Sequence, residues 1–285
     1  MNGVINILKP PGMTSFDVVA YLRKKLNVKK IGHTGTLDPG AAGVLPICIG
    51  KATKIVDYLT AQDKKYICEI CFGETTDTYD KYGNVVRRYE KDFTLDYQKL
   101  NQIIKSKFIG EIEQVPPAYS AIKINGMRAY DLARKGHEFE IPKRKVIIYN
   151  IDIIDVYSKR ALLEVHCSKG TYIRSLCYDL GECLGYGAYM GFLLRTQTGK
   201  FKLDDSYVLE EINKENINNI MLTVDKLLDY DSLKLDIDES KKFCNGVILS
   251  KRHKDGMYKI YNYKSEFLGI GNINNNKLKP EKIFV

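Results

Sequence analysis

The chain has 285 residues, 44% of them hydrophobic and 28% charged, with a formal net charge of +9. That is ample for a full core and predicts one large domain, or a large one with a small companion. The excess of Lys and Arg favours an anionic partner, with nucleic acid first, while a merely basic soluble protein fits the charge equally well. No window approaches the ~18 uninterrupted apolar residues of a membrane span. Residues 1–9 have no basic start and too short an apolar run, so no signal peptide is expected. Seven cysteines without framework spacing point to a reducing, cytoplasmic setting.

In chain order, residues 3–8 alternate weakly and read as a strand, which Lys9-Pro10-Pro11-Gly12 stops. Thr14 or Ser15 is placed to cap a helix, and Asp17 to reach back to the cap. Val18, Leu22 and Leu26 give that helix a buried stripe. Lys24, Lys25, Lys29 and Lys30 lead into Gly32-His33-Thr34-Gly35-Thr36-Leu37-Asp38-Pro39-Gly40-Ala41-Ala42-Gly43. Its glycines allow sharp turns and the close approach of another molecule. Pro39 fixes its own φ and pushes Asp38 out of the helical region. A carboxylate held at such a bend can be a nucleophile, a general base, a metal ligand or a turn-former.

Residues 44–49 read as a buried strand leading into a helix over 52–61. Gly50-Lys51 fails the spacing of a nucleotide loop: Leu45 stands where the first glycine is required, and Ala52 where Ser or Thr is. Residues 64–72 are β-rich. Cys68 and Cys71, three apart on a strand, point to opposite faces and cannot readily grip one metal. In the polar loop 73–80, Asp77 and Asp80 lack a calcium-loop pattern and read as turn caps. Residues 94–109 predict an amphipathic helix. Pro116-Pro117 forces an extended entry to a further helix over 130–134, ended by Gly136. Lys123, Arg128, Arg134, Lys135, Lys143, Arg144 and Lys145 make this the densest basic region, suited to backbone contact with RNA. Residues 146–156 and 161–167 predict paired strands. Next, Cys167-Ser168-Lys169-Gly170-Thr171-Tyr172-Ile173-Arg174 opens a helix running to about Leu184. A cation at a helix N-terminus is electrostatically awkward, so Arg174 calls for an anionic partner. From about residue 230, short β-like runs alternate with polar turns.

Gly-His-Thr-Gly-Thr-Leu-Asp-Pro at 32–39, followed by Gly-Val-Leu-Pro at 43–46, resembles the signature of the TruB family of tRNA pseudouridine synthases. The segments 9–15, 116–123 (Pro-Pro-Ala-Tyr-Ser-Ala-Ile-Lys), 167–174 and 193–196 (Leu-Leu-Arg-Thr) are similar to further motifs of that family. Together they cover most of residues 3–200. Ala42 departs from a frequent Thr, and Leu194 departs from Leu-Arg-Arg-Thr, so only Leu193 is carried over from that strand.

The resemblance implies an α+β fold: a mixed, mainly antiparallel sheet with flanking helices over residues 1–229. Over 230–285, Phe-Leu-Gly-Ile-Gly at 267–271 followed by Leu-Lys-Pro-Glu-Lys at 278–282 resembles a small PUA-like β domain for RNA, and a purely structural β cap fits nearly as well. The TruB resemblance also implies isomerisation of uridine to pseudouridine at position 55 in the T loop of tRNA. The target base is flipped out, and no cofactor or metal is required. Asp38 would start glycosidic cleavage as nucleophile or base, and Arg174 would keep it ionised. Tyr66 would stack on the uracil and help remove the C5 proton. Tyr172 would contact the nucleotide, and Leu193 would wall the base. His33 would fill the gap left in the T loop, and Lys9 would approach the RNA. The partner is the tRNA T stem-loop; a cytoplasmic monomer without an obligatory protein partner is expected. Two rivals share part of this pattern: the catalytic subunit of a guide-RNA complex, and a non-catalytic tRNA-binding or tRNA-folding protein.

Overall fold

A computed structural model describes residues 1–120, 122–124, 126–136 and 139–285; Ala121 of the 116–123 motif lies outside them. The apolar run at the start forms β1 (Gly3–Lys9). Thr14 caps α1 (Ser15–Leu26): its hydroxyl accepts from the Asp17 N–H at 3.0 Å, and the Asp17 carboxylate accepts from the Thr14 N–H at 2.8 Å. Asn27, at φ 56°, closes the helix in the left-handed region. Val18, Val19, Leu22 and Leu26 are its buried stripe.

The chain continues through β2 (Ile31–His33), β3 (Ala42–Ile49), α2 (Val56–Thr60), β4 (Lys64–Phe72), β5 (Glu74–Thr76), β6 (Val85–Arg88), α3 (Tyr97–Ile103) and β7 (Gly110–Gln114). A short ribbon of β8 (Lys123–Ile124) and β9 (Met127–Arg128) precedes α4 (Ala129–Arg134). Then come β10 (Arg144–Tyr157), β11 (Arg160–Cys167), α5 (Ile173–Leu184), β12 (Ala188–Thr198) and β13 (Phe201–Lys202). The helix expected over 52–61 opens instead as a 3₁₀ turn, Gly50–Ile55, before α2. Ala52 and Ile55 are buried at three-residue spacing, which that tighter helix aligns on one face. The helix expected over 94–109 is α3 followed by a wider π turn, Ile104–Phe108. That turn keeps Leu100, Ile104 and Phe108 buried together.

Nine strands form one sheet, whose main path is β1-β3-β12-β4-β11-β10-β7; β2 pairs with β3, and β13 with β12. Every pairing is antiparallel except β3 with β12. That single parallel contact sets β12 between β3, which follows the glycine-rich loop, and β4, which carries Tyr66. One apolar cluster lies between the sheet and α3 and α5, and another between β1, β3 and α1.

After α6 (Ile217–Ile220), a second sheet contains β14 (Asp231–Lys234), β15 (Leu249–Ser250), β16 (Gly256–Tyr261), β17 (Phe267–Asn274) and β18 (Lys277–Ile283), with α7 (Ile237–Cys244) packed against β15 and β18. Its order is β14-β16-β17-β18-β15. The fold is therefore α+β with mixed, mainly antiparallel sheets, as the sequence implied. The two sheets share a core in which Ile270 of β17 is buried with Val4, Val44, Ala52, Ile55, Val224 and Leu227. Ile270→Ala is expected to cost about 2–5 kcal/mol and to lower the urea midpoint of the whole chain. An unchanged midpoint would mean that this shared core does not hold the sheets together.

Candidate active site

The loop between β2 and β3 is fastened from below by the segment that follows β1. The Gly12 N–H donates to the Pro39 carbonyl at 2.8 Å. The Ser15 hydroxyl accepts from the Leu37 N–H at 2.9 Å and donates to the Leu37 carbonyl at 3.3 Å. Lys9, fully buried, donates to the carbonyls of Pro10 (2.8 Å), Met13 (2.5 Å) and Pro39 (3.3 Å). Burial lowers the Lys9 pKa to about 8, with Asp38 opposing that shift. Lys9 was expected to approach RNA. It lies beneath the loop instead, because its ammonium is used up on three main-chain acceptors, and its effect on Asp38 is through backbone and field. The Ala41 N–H closes the turn onto the Asp38 carbonyl at 3.0 Å.

Asp38 and Arg174 meet across 136 residues of sequence. Arg174 Nη2 donates to Asp38 Oδ1 at 3.1 Å, and Nε stands 2.9 Å from Oδ2. The Arg174 side chain is 6% exposed and that of Asp38 36%. The guanidinium also donates to the carbonyls of Thr78 (3.2 Å) and Tyr119 (3.0 Å) and lies 3.6 Å from Asp80 Oδ2. The awkward cation at the start of α5 thus has its anionic partners, and they come from two other loops. Burial raises the Asp38 pKa above its ordinary value; Arg174 opposes this, and the neighbouring Asp80 adds to it. Arg174 does act in the expected direction, towards the ionised form, against a larger effect of desolvation. Asp80 is a site residue that the sequence reading left as a turn cap. It does both jobs, since its Oδ1 accepts from the Thr78 hydroxyl (2.7 Å) and the Tyr82 N–H (3.0 Å) while Oδ2 faces Arg174.

Tyr66 is buried in the same apolar cluster as Leu37, Ala41 and Leu193. Directly opposite it on β12 is Arg195, which is 1% exposed. Arg195 Nε donates to the Val44 carbonyl at 2.7 Å and Nη2 to the Gly35 carbonyl at 3.2 Å. Its guanidinium also lies against the Tyr66 hydroxyl. Burial raises the Tyr66 pKa to about 12 although Arg195 pulls it down, so the phenol is neutral at neutral pH. The sequence does not single out Arg195, because its neighbours Gly43 and Tyr66 lie on strands that pair with β12 only in the fold. The available signal was a lone arginine inside an apolar strand. Gly43, at φ +117°, pairs with Arg195 on the other side, and a Cβ there would overlap the Arg195 backbone.

His33 ends β2, half-buried, and burial followed by the Arg195 charge lowers its pKa. Tyr172 precedes α5; the Gln114 side chain bridges its N–H (3.0 Å) and carbonyl (3.1 Å), and the Arg144 guanidinium stands 5.5 Å from its ring centre. Of the basic region, Lys143 and Lys145 pair with Glu113 (3.7 Å) and Glu111 (2.8 Å) on β7, which blunts that edge. Arg128 and Arg134 both lie over the Tyr130 ring. Arg195→Met would strand the buried Val44 carbonyl and the part-buried Gly35 carbonyl and is expected to cost on the order of 2–5 kcal/mol. Urea unfolding checks this, and Arg195→Lys should restore part of the loss.

The family model for TruB family pseudouridylate synthase (N terminal domain) matches residues 23–173. Models for the tRNA pseudouridylate synthase B C-terminal domain and for pseudouridine synthase II TruB, C-terminal, match residues 174–235 and 232–284. The tRNA pseudouridine synthase B of Clostridium kluyveri is 47% identical, covering 100% of both chains. That of Caldanaerobacter subterraneus subsp. tengcongensis is 46% identical over 100% of this chain and 99% of its own. Among solved structures, a Cbf5-Nop10-Gar1 complex contains a chain with TM-score 0.75 and 27% identity, covering 99% of this chain and 85% of that one. An H/ACA RNP bound to a substrate RNA containing 2'-deoxyuridine gives 0.74 and 26%, with the same coverage. The loop, its buried arginine and these matches along the whole chain make this protein a member of the TruB family of pseudouridine synthases.

Proposed function

We propose that the chain isomerises a uridine of tRNA to pseudouridine, at position 55 in the T loop, with Asp38 acting on an everted base. One observation carries the reading: a partly open carboxylate with a buried guanidinium hydrogen-bonded to one of its oxygens and 2.9 Å from the other. An ordinary turn-forming aspartate has no use for such a partner. Full-length relatives named tRNA pseudouridine synthase B support the substrate class.

In this reaction the bond from ribose C1′ to uracil N1 breaks and one from C1′ to C5 forms. The proton on C5 leaves and N1 gains one, so atoms balance without a redox partner. Asp38 acts as nucleophile or as base at the start, and both roles need its ionised form, which Arg174 favours. Tyr66 offers its ring to the uracil, and Leu37, Ala41 and Leu193 supply apolar surroundings for it. Stacking of this kind contributes roughly 1–3 kcal/mol per base. Held neutral, Tyr66 passes the C5 proton through its hydroxyl or a water and is not a standing phenolate. His33 enters the T loop in the place of the flipped base, and Tyr172 contacts the nucleotide. Residues 1–229 form the catalytic unit and 230–285 a PUA-like unit for RNA. The chain acts alone in the cytoplasm, as a monomer. The higher identity to relatives named tRNA pseudouridine synthase B, 46–47%, than to the chains of the H/ACA RNP and the Cbf5-Nop10-Gar1 complex, 26–27%, supports tRNA as the substrate.

Purified protein incubated alone with unmodified tRNA should form pseudouridine. Asp38→Asn should keep its affinity for tRNA and lose several orders of magnitude in turnover, and an active Asp38→Asn enzyme would remove the mechanism. Arg174→Lys should also be severe, because a point charge does not reproduce a planar two-pronged contact.

The pH profile of kcat/KM supplies an independent check. Since Asp38 must be ionised and burial raises its pKa, activity should fall as pH drops through that raised value. Arg174→Gln removes the influence that lowers the Asp38 pKa, so the acid limb should move to higher pH. A limb that stays in place would separate Arg174 from the ionisation of Asp38.

A further inference from the structure

Tyr82 stands at the rim of the site with 66% of its surface exposed and belongs to none of the apolar clusters. Single exposed aromatics are common on protein surfaces, but this one is held in place. Its N–H donates to Asp80 Oδ1 at 3.0 Å, and the other oxygen of Asp80 faces Arg174. The Lys81 N–H before it donates to the Met190 carbonyl at 3.0 Å, and the Gly83 N–H after it to the Asp80 carbonyl at 3.3 Å. The backbone that carries Tyr82 is therefore part of the same network that holds Asp38.

Its ring reaches back over Gly40, two residues after Asp38. Gly40 has no left-handed φ that would demand glycine. The space a Cβ would fill there is taken by the hydroxyl end of the Tyr82 ring. The loop thus keeps a vacancy in which the ring rests, while most of the ring stays in solvent. The Lys81 ammonium lies 5.3 Å from the ring centre. A wet aromatic face beside a cation is the arrangement that binds an unpaired nucleotide, with the base on the ring and the phosphate near the charge.

We propose that Tyr82, with Lys81, is a stacking platform for an unpaired nucleotide that flanks the target in the RNA. The inference rests on the RNA-modifying reading above and adds a contact outside the pocket for the everted base. Stacking tolerates any base, so the platform positions the strand and does not read its sequence.

The test uses full-length Asp38→Asn protein and a T stem-loop RNA carrying 2-aminopurine on one or the other side of the target uridine. With Tyr82 present, fluorescence at one of the two positions should be quenched on binding. Adding Tyr82→Ala should abolish that quenching and weaken binding by roughly 5- to 150-fold, the factor that corresponds to about 1–3 kcal/mol of stacking. Tyr82→Phe should keep both signals, and Tyr82→Leu, which retains apolar bulk without a ring, should lose the quenching. Binding within twofold of the parent and unchanged quenching in Tyr82→Ala would overturn the platform. Assaying the chain with Asp38 intact separates the two ideas: RNA bound without pseudouridine formed would refute the proposed reaction, while the fluorescence result would still decide the platform.

Discussion

The Arg174 guanidinium is the contact on which the site depends. A cation buried this far is tolerated only where charge and hydrogen-bond acceptors surround it. Asp38, Asp80 and the carbonyls of Thr78 and Tyr119 meet that need, and they lie on three separate loops. One side chain at the start of α5 therefore determines where all three loops can sit. The same contact makes Asp38 a partner in an ion pair as well as a residue at a bend. Its carboxylate remains partly open, so the fold leaves one face of a charged pair available while burying the other.

A second guanidinium plays a comparable role within the sheet. Because β12 runs parallel to β3 and antiparallel to β4, Arg195 sits opposite Gly43 on one side and Tyr66 on the other. Its bonds to the Gly35 and Val44 carbonyls bracket the loop that holds Asp38. Tyr66 and the loop are in this way fixed to one strand, and a shift of β12 would move both. Lys9 ties the loop from the opposite side. Of the buried cations around Asp38, only Arg174 touches its carboxylate; the other two hold the backbone on which it stands.

Much of this was legible in the residues. The capping box at Thr14 and Asp17 has a short-range pattern and formed as read. The demand of Arg174 for an anion followed from helix electrostatics alone. The identity of its second carboxylate did not, because Asp80 reads as a turn cap and is one; its other oxygen meets Arg174 only after the chain folds. Arg195 shows the same limit, since the parallel β3–β12 contact that gives it meaning joins segments some 150 residues apart. Lys9 was misplaced for a related reason: a lysine beside a glycine-rich loop looks solvent-facing until three carbonyls are seen to converge on it. The net direction of the Asp38 pKa was also out of reach, because it depends on how much water the folded loop excludes.

In the proposed reaction, these positions would let either starting role for Asp38 suit the same protein. As a nucleophile, Asp38 becomes a neutral ester while the departing uracil gains a negative charge. As a base, it becomes a neutral acid while the uracil gains the same charge. Both routes move one negative charge from the carboxylate to the base over a short distance and leave the total unchanged. What the protein must supply is a positive environment that does not have to rearrange when the charge moves. Arg174 is pinned by Asp80 and two carbonyls, so losing the charge on Asp38 does not free it to swing away. Arg195 and Lys9 are pinned by main-chain acceptors in the same way. For the proposed reaction, a fixed set of cations around a mobile negative charge would lower the cost of the transfer whichever bond Asp38 made first.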